Sequence, residues 1–456
     1  MSSELDLLVI GGGACGLAGA IAAHDAGASA AILEKMARPG GNSALSTGSV
    51  PAAASRFQRE AGIDDSPERF VADLEAIAGA SDCPALVRRL VETSAETAEW
   101  LVDEVGARMT FISAYKHIGH SVPRLHAPRS RRGQDLVDDL LAAADKREIP
   151  LALGNCVLDL IVEGGAVQGA VIDSGSGPEE MRARKTLLAL NGFAGDRELV
   201  RRFCPEIAGA QYFGALGSTG EAIRWGEKLG AALGNMGAYQ GYAAVADPHG
   251  SILSWTTVEK GGILLNAAGR RFGDESLGYS GYAKVVLEQD GPCFALFDRR
   301  IFEIASAEDE FVELWKLGGL KQAATAEEAL APHGLDRDAV RETVATYRAA
   351  AAGETSDPFG RRDFGIAPLV GPFYSCRVVP GLFHTQGGLQ VDDDGRVLRG
   401  DGSVVPNLFA GGGAVAGLSG RSGALGYASG NGLLSAIGLG RLAGLAAAAE
   451  CKRVSA

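Results

Sequence analysis

The chain has 456 residues, enough for two domains around a sizeable core. Apolar residues make up 46% of it and charged residues 22%, an ordinary globular balance, and the 64 glycines follow no Gly-X-Y period, which excludes a collagen-like chain. A net charge of −13, with both signs mixed along the sequence, repels phosphate backbones and argues against a nucleic-acid partner.

In chain order, Leu5 to Ile10 is a short apolar run that ends in Gly11-Gly12-Gly13. A small-residue helical pattern follows (Leu17, Ala20, Ile21, Ala23), then a second apolar run from Ala30 to Leu33 with Glu34 at its tip. This reads as strand, glycine turn, helix and strand. A Gly/Pro-rich loop, Arg38 to Ser43, leads through small residues to Gly48. Apolar spacing of three and four predicts helices over 65–105, and 110–133 is polar and irregular. A helix over 134–147 precedes strands 151–162, 167–173 and 186–190, and a helix over 219–230 ends the first part. The composition then shifts, with many aromatics and a helical tract at 301–352, before the earlier style returns after 366. The expected organisation is a nucleotide domain in two parts, 1–232 and 366–456, interrupted by an inserted domain at 233–365.

The 7 cysteines lie far apart with no C-x-x-C, so a disulfide framework, an iron–sulfur cluster, a zinc knuckle and c-type haem all lack their spacing. The amino terminus has no basic and apolar leader, and no uncharged apolar run reaches the roughly 18 residues of a membrane span. Even Leu433 to Ala449 carries Arg441. The expected setting is cytoplasmic, with no membrane span. Tyr115, His117, His120 and His126 share a loop without carboxylates at ligand spacing, so no metal is assigned there.

Gly11-x-Gly13-x-x-Gly16 opens a helix directly after a strand, and Glu34 lies 23 residues beyond Gly11. Gly11 permits the sharp turn, Gly13 lets backbone N–H groups approach a pyrophosphate, and Gly16 lets helix and strand pack closely. The helix terminus offers unpaired donors and partial positive charge to the anion. Glu34 can accept from ribose hydroxyls and would repel a 2′-phosphate, which disfavours NADP. These residues predict dinucleotide binding and leave FAD and NAD both open.

Further motifs occur in a definite order. Glu34 with Arg38-Pro39-Gly40-Gly41-Asn42-Ser43 and Ser46, Arg132-Gly133 with Leu136, Gly269 to Glu275, His384-Thr385-Gln386-Gly387-Gly388-Leu389, Asn407 to Gly412, and Gly430-Asn431 through Gly440 to Gly444 span nearly the whole chain. Together they resemble the FAD-dependent flavoprotein family of fumarate reductase, succinate dehydrogenase and 3-ketosteroid dehydrogenase. The resemblance implies an α/β fold: a Rossmann-type, glutathione-reductase-like FAD domain with an inserted α+β capping domain for substrate. It implies flavin contacts from Gly11, Gly13, Ala14, Cys15 and Gly16, from Glu34 and Lys35, and from Gly40, Gly41, Asn42, Ser43, Ser46 and Gly48. Cys156 and Val157 fall on the adenine side. Asn191, Gly192, Gly387, Gly412, Gly430, Asn431, Leu433 and Leu434 complete the set. The flavin-linking histidine of the family is missing from the 36–46 loop, so the FAD is expected to be noncovalent.

Other departures bear on substrate. Gly413 stands where many relatives have a Glu, and Asn191 where a Thr is usual. The arginine of fumarate reductases in the segment matching Gly426 to Asn431 is replaced by Tyr427, and their proton-donating arginine falls near Phe302. Tyr427-x-Ser429-Gly430 instead resembles the branch acting next to a ketone. The resemblance therefore implies an oxidoreductase acting on CH–CH groups, moving a hydride between flavin N5 and a bond α,β to a carbonyl, as 3-ketosteroid dehydrogenases and ene-reductases do. Such chemistry needs donors to the carbonyl and a proton carrier. His384 and backbone N–H groups near Gly387 or Gly430 are the carbonyl candidates. Tyr427, relayed by Ser429, is the proton candidate, with Tyr279 or Tyr282 as its partner. Arg421, Tyr115 and Gly430 are the substrate-binding candidates. Arg124, Arg129, Arg131 and Arg132 read as a solvated face or as FAD-phosphate neighbours, and Glu275 as a structural ion-pair partner. Two alternatives stay open: a fumarate-reductase-like enzyme for a small unsaturated acid, with Arg421 or Arg377 replacing the lost arginines, and a catalytically idle flavin module. The expected partners are a small carbonyl-conjugated substrate and an external electron donor or acceptor.

Overall fold

The computed structural model describes residues 5–455, so Met1 to Glu4, read above for a leader, lie outside the described residues. The chain divides into two compact units. Unit 1 comprises 1–205, 214–239 and 384–456, and unit 2 comprises 206–213 and 240–383. The boundaries differ from the expected 233–365. Leu233–Gly234 pairs with Gly388–Leu389 inside unit 1. In unit 2 the strand from Phe373 is the antiparallel partner of Cys293–Asp298. Composition alone gave no sign of either pairing.

Unit 1 is built on an eight-stranded sheet. Strand β1 (Leu5–Ile10) lies between β2 (Ala30–Glu34) and Pro178–Leu188, parallel to both, with Val9 opposite Ile32 on one side and Leu187 on the other. A strand flanked on both edges and covered on both faces has no use for alternation, and Leu7 to Ile10 are accordingly all buried. Val404–Ala410 joins in parallel beyond Pro178–Leu188, and Leu151–Leu153 joins beyond β2. Helix α1 (Ala14–Asp25) is buried over its first ten residues and has no polar face, as a central helix must. Two helices of the 65–105 tract, Pro67–Ala78 and Pro84–Glu92, start with proline in the first turn, where its missing N–H costs nothing.

The carboxy-terminal helix, Asn431–Ser455, explains the late Gly/Ala richness. A Cβ on Gly440 would lie 2.2 Å from the Cys15 carbonyl oxygen, and one on Gly444 2.2 Å from that of Gly19. The helix thus touches α1 backbone to backbone. By length and composition Asn431–Arg453 could cross a bilayer, but most of its apolar window is buried within the fold. It is apolar because it is a core helix.

Unit 2 carries strands Ile263–Leu265, Cys293–Asp298 and the long Phe373–Thr385, whose last two residues belong to unit 1, with helices around them. Phe297 and Phe302 stack on Tyr374 with centroids 5.9 and 4.4 Å away. Beneath this core Arg271 and Arg361 converge on Glu275, and Arg271 also reaches Asp357. Glu275 is therefore an ion-pair partner that anchors the Gly269 to Glu275 segment.

Candidate functional site

The glycine turn is dictated by contact. Gly11 has φ 114°, and a Cβ there would lie 2.2 Å from the Ala189 oxygen. A Cβ on Gly16 would lie 1.9 Å from the Gly11 oxygen. Gly13 caps α1 without a side-chain bond, and no acid sits in the first turn, so the positive helix end is left for an anion. Glu34 is held at the tip of β2 by the N–H groups of Gly12 and Met36, each donating at 2.8 Å to a different carboxylate oxygen. Each oxygen keeps a lone pair for a ribose hydroxyl.

The 40–48 loop is locked to this turn. Gly40 N–H donates to the Gly12 oxygen at 2.9 Å, and Ser43 Oγ accepts from Ala14 N–H at 3.3 Å. Ser46 Oγ donates to the Ser43 oxygen at 2.7 Å and accepts from Gly48 N–H at 3.1 Å. Asn42 Oδ1 takes the Ala215 N–H, while its Nδ2 is buried without a partner. Lys35 is committed elsewhere: its ammonium pairs with Glu221 at 2.5 Å and Thr219 at 2.7 Å. Val157 is buried and Cys156 half-buried at the start of the strand Cys156–Glu163.

On the far side, Gly412 (φ 61°) backs onto Cys15 and Ala436. Gly430 (φ 85°) leads into Asn431, Leu433 and Leu434 at the start of the last helix. Asn431 is fully buried, and both polar atoms of its amide lack a partner. The two departures noted in the sequence prove to be one. A side chain at Gly413 would begin 2.5 Å from Asn191 Oδ1, so Asn191, itself at φ 67°, fills the space that a residue larger than glycine would need.

His384 lies against Gly432, where an added Cβ would be 3.8 Å from its Nε2. Its Nδ1 faces the Thr385 oxygen at 3.2 Å, and a carbonyl only accepts, so Nδ1 carries the hydrogen. Burial holds the imidazole below its usual value and neutral, only partly offset by that bond. Nε2 then presents a lone pair, 3.4 Å from the Gln386 amide nitrogen. As placed, the donor at this end is Gln386, which the sequence reading passed over, and His384 is an acceptor there. Gly387 is buried beside it.

Tyr427 and Ser429 lie half-buried on the segment before Gly430. Ser429 N–H donates to the Ile118 oxygen at 3.0 Å, and its own carbonyl accepts from His120 Nε2 at 2.8 Å. His120 is in turn 3.4 Å from Arg124. Arg124 is not part of a solvated face: it is fully buried, bidentate to Asp65 at 2.7 and 2.8 Å, and bonded to Asp73. Asp65, Asp73, Arg124 and His120 form a positioning frame that sequence reasoning missed, because no periodicity announces partners so far apart. Arg129 and Arg132 are exposed, as expected of a solvated face.

The remaining candidates fall elsewhere. Tyr282 is fully buried in the core of unit 2, stacked on Phe272 at 5.6 Å, with its hydroxyl unpartnered. Burial, then the Glu275 charge, pushes that hydroxyl far above its usual range, so Tyr282 is a core aromatic rather than a proton carrier. Tyr279, also in unit 2, is half-buried with its ring 5.0 Å from that of Tyr242. Arg421 is tied to Asp82 at 2.6 Å and Arg377 to Asp247 at 2.8 Å, so both charges are already answered. Tyr115 is 54% exposed and meets Arg131 at 3.3 Å.

Within unit 1 the glycine turn, the 40–48 loop, Gly412 and the start of the last helix are thus joined by contacts, with buried amides of Asn42 and Asn431 awaiting a polar ligand. The residues fit FAD. The FAD binding domain family matches residues 6–432. The NADH:fumarate oxidoreductase of Klebsiella pneumoniae (strain 342) is 31% identical over 452 residues, 98% of this chain and 48% of that protein. The fumarate reductase (cytochrome) of Shewanella frigidimarina is 30% identical over 457 residues, covering 98% and 78%. The chain therefore spans about half the length of the first relative and about three quarters of the second. An open flavocytochrome c3 fumarate reductase superposes with a TM-score of 0.84 at 27% identity, covering 98% of this chain and 78% of that one. The 3-ketosteroid-Δ4-(5α)-dehydrogenase of Rhodococcus jostii RHA1, solved with 4-androstene-3,17-dione, gives 0.76 at 25%, covering 98% of both. The chain belongs to the FAD-binding domain family, within its fumarate reductase and 3-ketosteroid dehydrogenase group of FAD-dependent oxidoreductases.

Proposed function

We propose that the protein transfers a hydride between FAD and a carbon–carbon bond conjugated to a carbonyl. The observation that carries this reading is the gathering, at the start of the last helix, of two buried amides, Gln386 beside the half-buried neutral His384 and the unpartnered Asn431. The two amides offer N–H groups to an uncharged oxygen and to the enolate character it gains during reaction, while His384, an acceptor, orients the Gln386 amide. When bound, FAD supplies the hydride donor and acceptor. Gly13 and the end of α1 would hold its pyrophosphate and Glu34 its ribose. The 40–48 loop, Gly412, Leu433 and Leu434 would border its ring system. The FAD is held noncovalently, since the 36–46 loop has no histidine. Gln386 N–H polarises the substrate carbonyl. Tyr427, steadied by the Ser429 backbone bonds, gives or takes the proton on the neighbouring carbon. A separate electron donor or acceptor completes the cycle.

The test is anaerobic photoreduction of the FAD-loaded protein, followed by a panel of enones and unsaturated acids. Reoxidation of the flavin by carbonyl-conjugated alkenes supports the reading. Reoxidation by none of them overturns it. Reoxidation by simple unsaturated acids alone moves the assignment to the fumarate-reductase-like alternative, which the names of the relatives favour.

A further inference from the structure

Arg131 precedes the helix Gly133–Lys146 at φ 57°, a conformation that favours glycine over any residue with a Cβ. Its guanidinium meets only hydroxyls, Tyr115 at 3.3 Å and Ser49 Oγ at 3.4 Å, and its Nε is buried without a partner. Arg124, Arg271 and Arg361, the buried arginines among the described residues, are each paired with carboxylates. Arg131 has none among the described residues. Beside it, 4.6 Å from the Tyr115 ring, lies His117, whose two ring nitrogens are both buried without partners. Burial, then the Arg131 charge, lowers His117 to about 4, so at neutral pH the ring offers one N–H and one lone pair. A strained arginine, a histidine and two hydroxyls thus converge with no anion among them, in a chain whose net charge is −13. Buried donors left without acceptors are costly unless a ligand supplies one.

The place is informative. Ser49 follows Gly48 of the flavin loop, and a Cβ on Gly430 would lie 2.9 Å from the Ser49 oxygen. Ser429 N–H is bonded to the carbonyl of Ile118, next to His117. The cluster therefore borders the segment that carries Tyr427.

We propose that Arg131, with His117, Ser49 and Tyr115, is a subsite for a carboxylate carried by the substrate, lying to one side of the reacting bond. This rests on the reading above, which it deepens by making the carbonyl-conjugated substrate an anion. Neither Arg421 nor Arg377 is needed for it. Arg131→Gly suits the local backbone and should fold, so it isolates the side chain. Two arms test the idea on FAD-loaded protein. In turnover, trans-4-oxo-2-pentenoate is compared with its methyl ester. The acid-over-ester preference in kcat/KM should fall roughly tenfold or more in Arg131→Gly, the scale of one charge-assisted hydrogen bond, and be partly kept in Arg131→Lys. In binding, sulfate should raise the Tm of the wild type but not of Arg131→Gly or His117→Phe. An unchanged acid preference, an equal sulfate effect in all variants, or loss of FAD from Arg131→Gly would each overturn the proposal. If neither compound reoxidises the flavin, the reading of the reaction fails and the sulfate arm alone decides the subsite.

Discussion

Arg124→Met is the sharpest test of the frame beneath the Tyr427 segment. The side chains of Arg124 and Asp65 are both 0% exposed, and the guanidinium lies 4.5 Å over the Phe70 ring. Methionine fills much of the same volume, so the change is mainly one of charge. It leaves the Asp65 carboxylate with one neutral donor, Gln58 Nε2 at 2.9 Å. Breaking a buried pair in this way costs about 3–5 kcal/mol. An independent bound agrees, since Asp65 can escape by taking a proton. Neutralising a carboxyl of ordinary pKa at pH 7 costs about 4 kcal/mol, which caps the penalty. Asp73, whose side chain is 17% exposed, can turn to water and adds little. The double variant Arg124→Met/Asp65→Asn removes the stranded charge and should recover more than half of the loss. Urea unfolding, followed by far-UV circular dichroism and by flavin release, measures both variants at pH 7 and pH 5. The deficit of the single variant should shrink by about 1.4 kcal/mol per pH unit on acidification, the free energy of binding one proton. A deficit below about 1 kcal/mol, or a double variant no more stable than the single, would show that the pair does not carry the segment.

Three further outcomes are expected. Gly16→Ala puts a Cβ 1.9 Å from the Gly11 oxygen, and relief to 3.0 Å moves the helix end by about 1 Å, so the purified variant should lose its flavin absorbance while keeping its circular dichroism; full FAD content would show that the turn does not hold the pyrophosphate. His120 and His126 are both lowered to about 4, chiefly by burial. The unfolded chain, with histidines near 6.5, takes up their protons first as pH falls, so stability is complete above about 6.5 and is lost towards pH 4, by up to about 3 kcal/mol for each. His126→Phe should flatten that slope, and an identical pH profile would contradict the assignment. Tyr427→Phe should cut turnover roughly 10²- to 10⁴-fold with FAD content unchanged, the loss expected of a proton carrier; a variant with normal kcat would return Tyr427 to a packing role.

What the sequence made legible follows from the range of each constraint. Gly11 and Gly16 could be read directly, because the contacts that forbid a side chain there come from neighbouring turns of one strand–turn–helix unit. The parallel core strands were legible for the same reason, as continuous apolar runs between glycine turns. The Arg124 frame was not, since its partners lie 59 and 51 residues away and a lone arginine in a polar loop looks like any solvated one. Tyr282 misled because a tyrosine next to a glycine has the same pattern in a core as at a site. Only the burial of its hydroxyl separates the two.

Asn191 and Gly413 show a third case, in which the residues were noticed and their meaning was not. Read along the chain they are two unrelated departures from a family pattern, each open to a functional story. In space the amide of one occupies the volume that any side chain on the other would claim, so neither substitution can be understood alone. The same logic applies to Arg131. Its backbone angle would suit glycine, and its charge would suit a salt bridge, yet it has neither the residue nor the partner that local physics prefers. A local conflict of this kind persists when something outside the local sequence balances it. The groups around Arg131 are all neutral, the Tyr115 and Ser49 hydroxyls and the His117 ring, so an anion brought by a ligand would supply the countercharge that none of them carries.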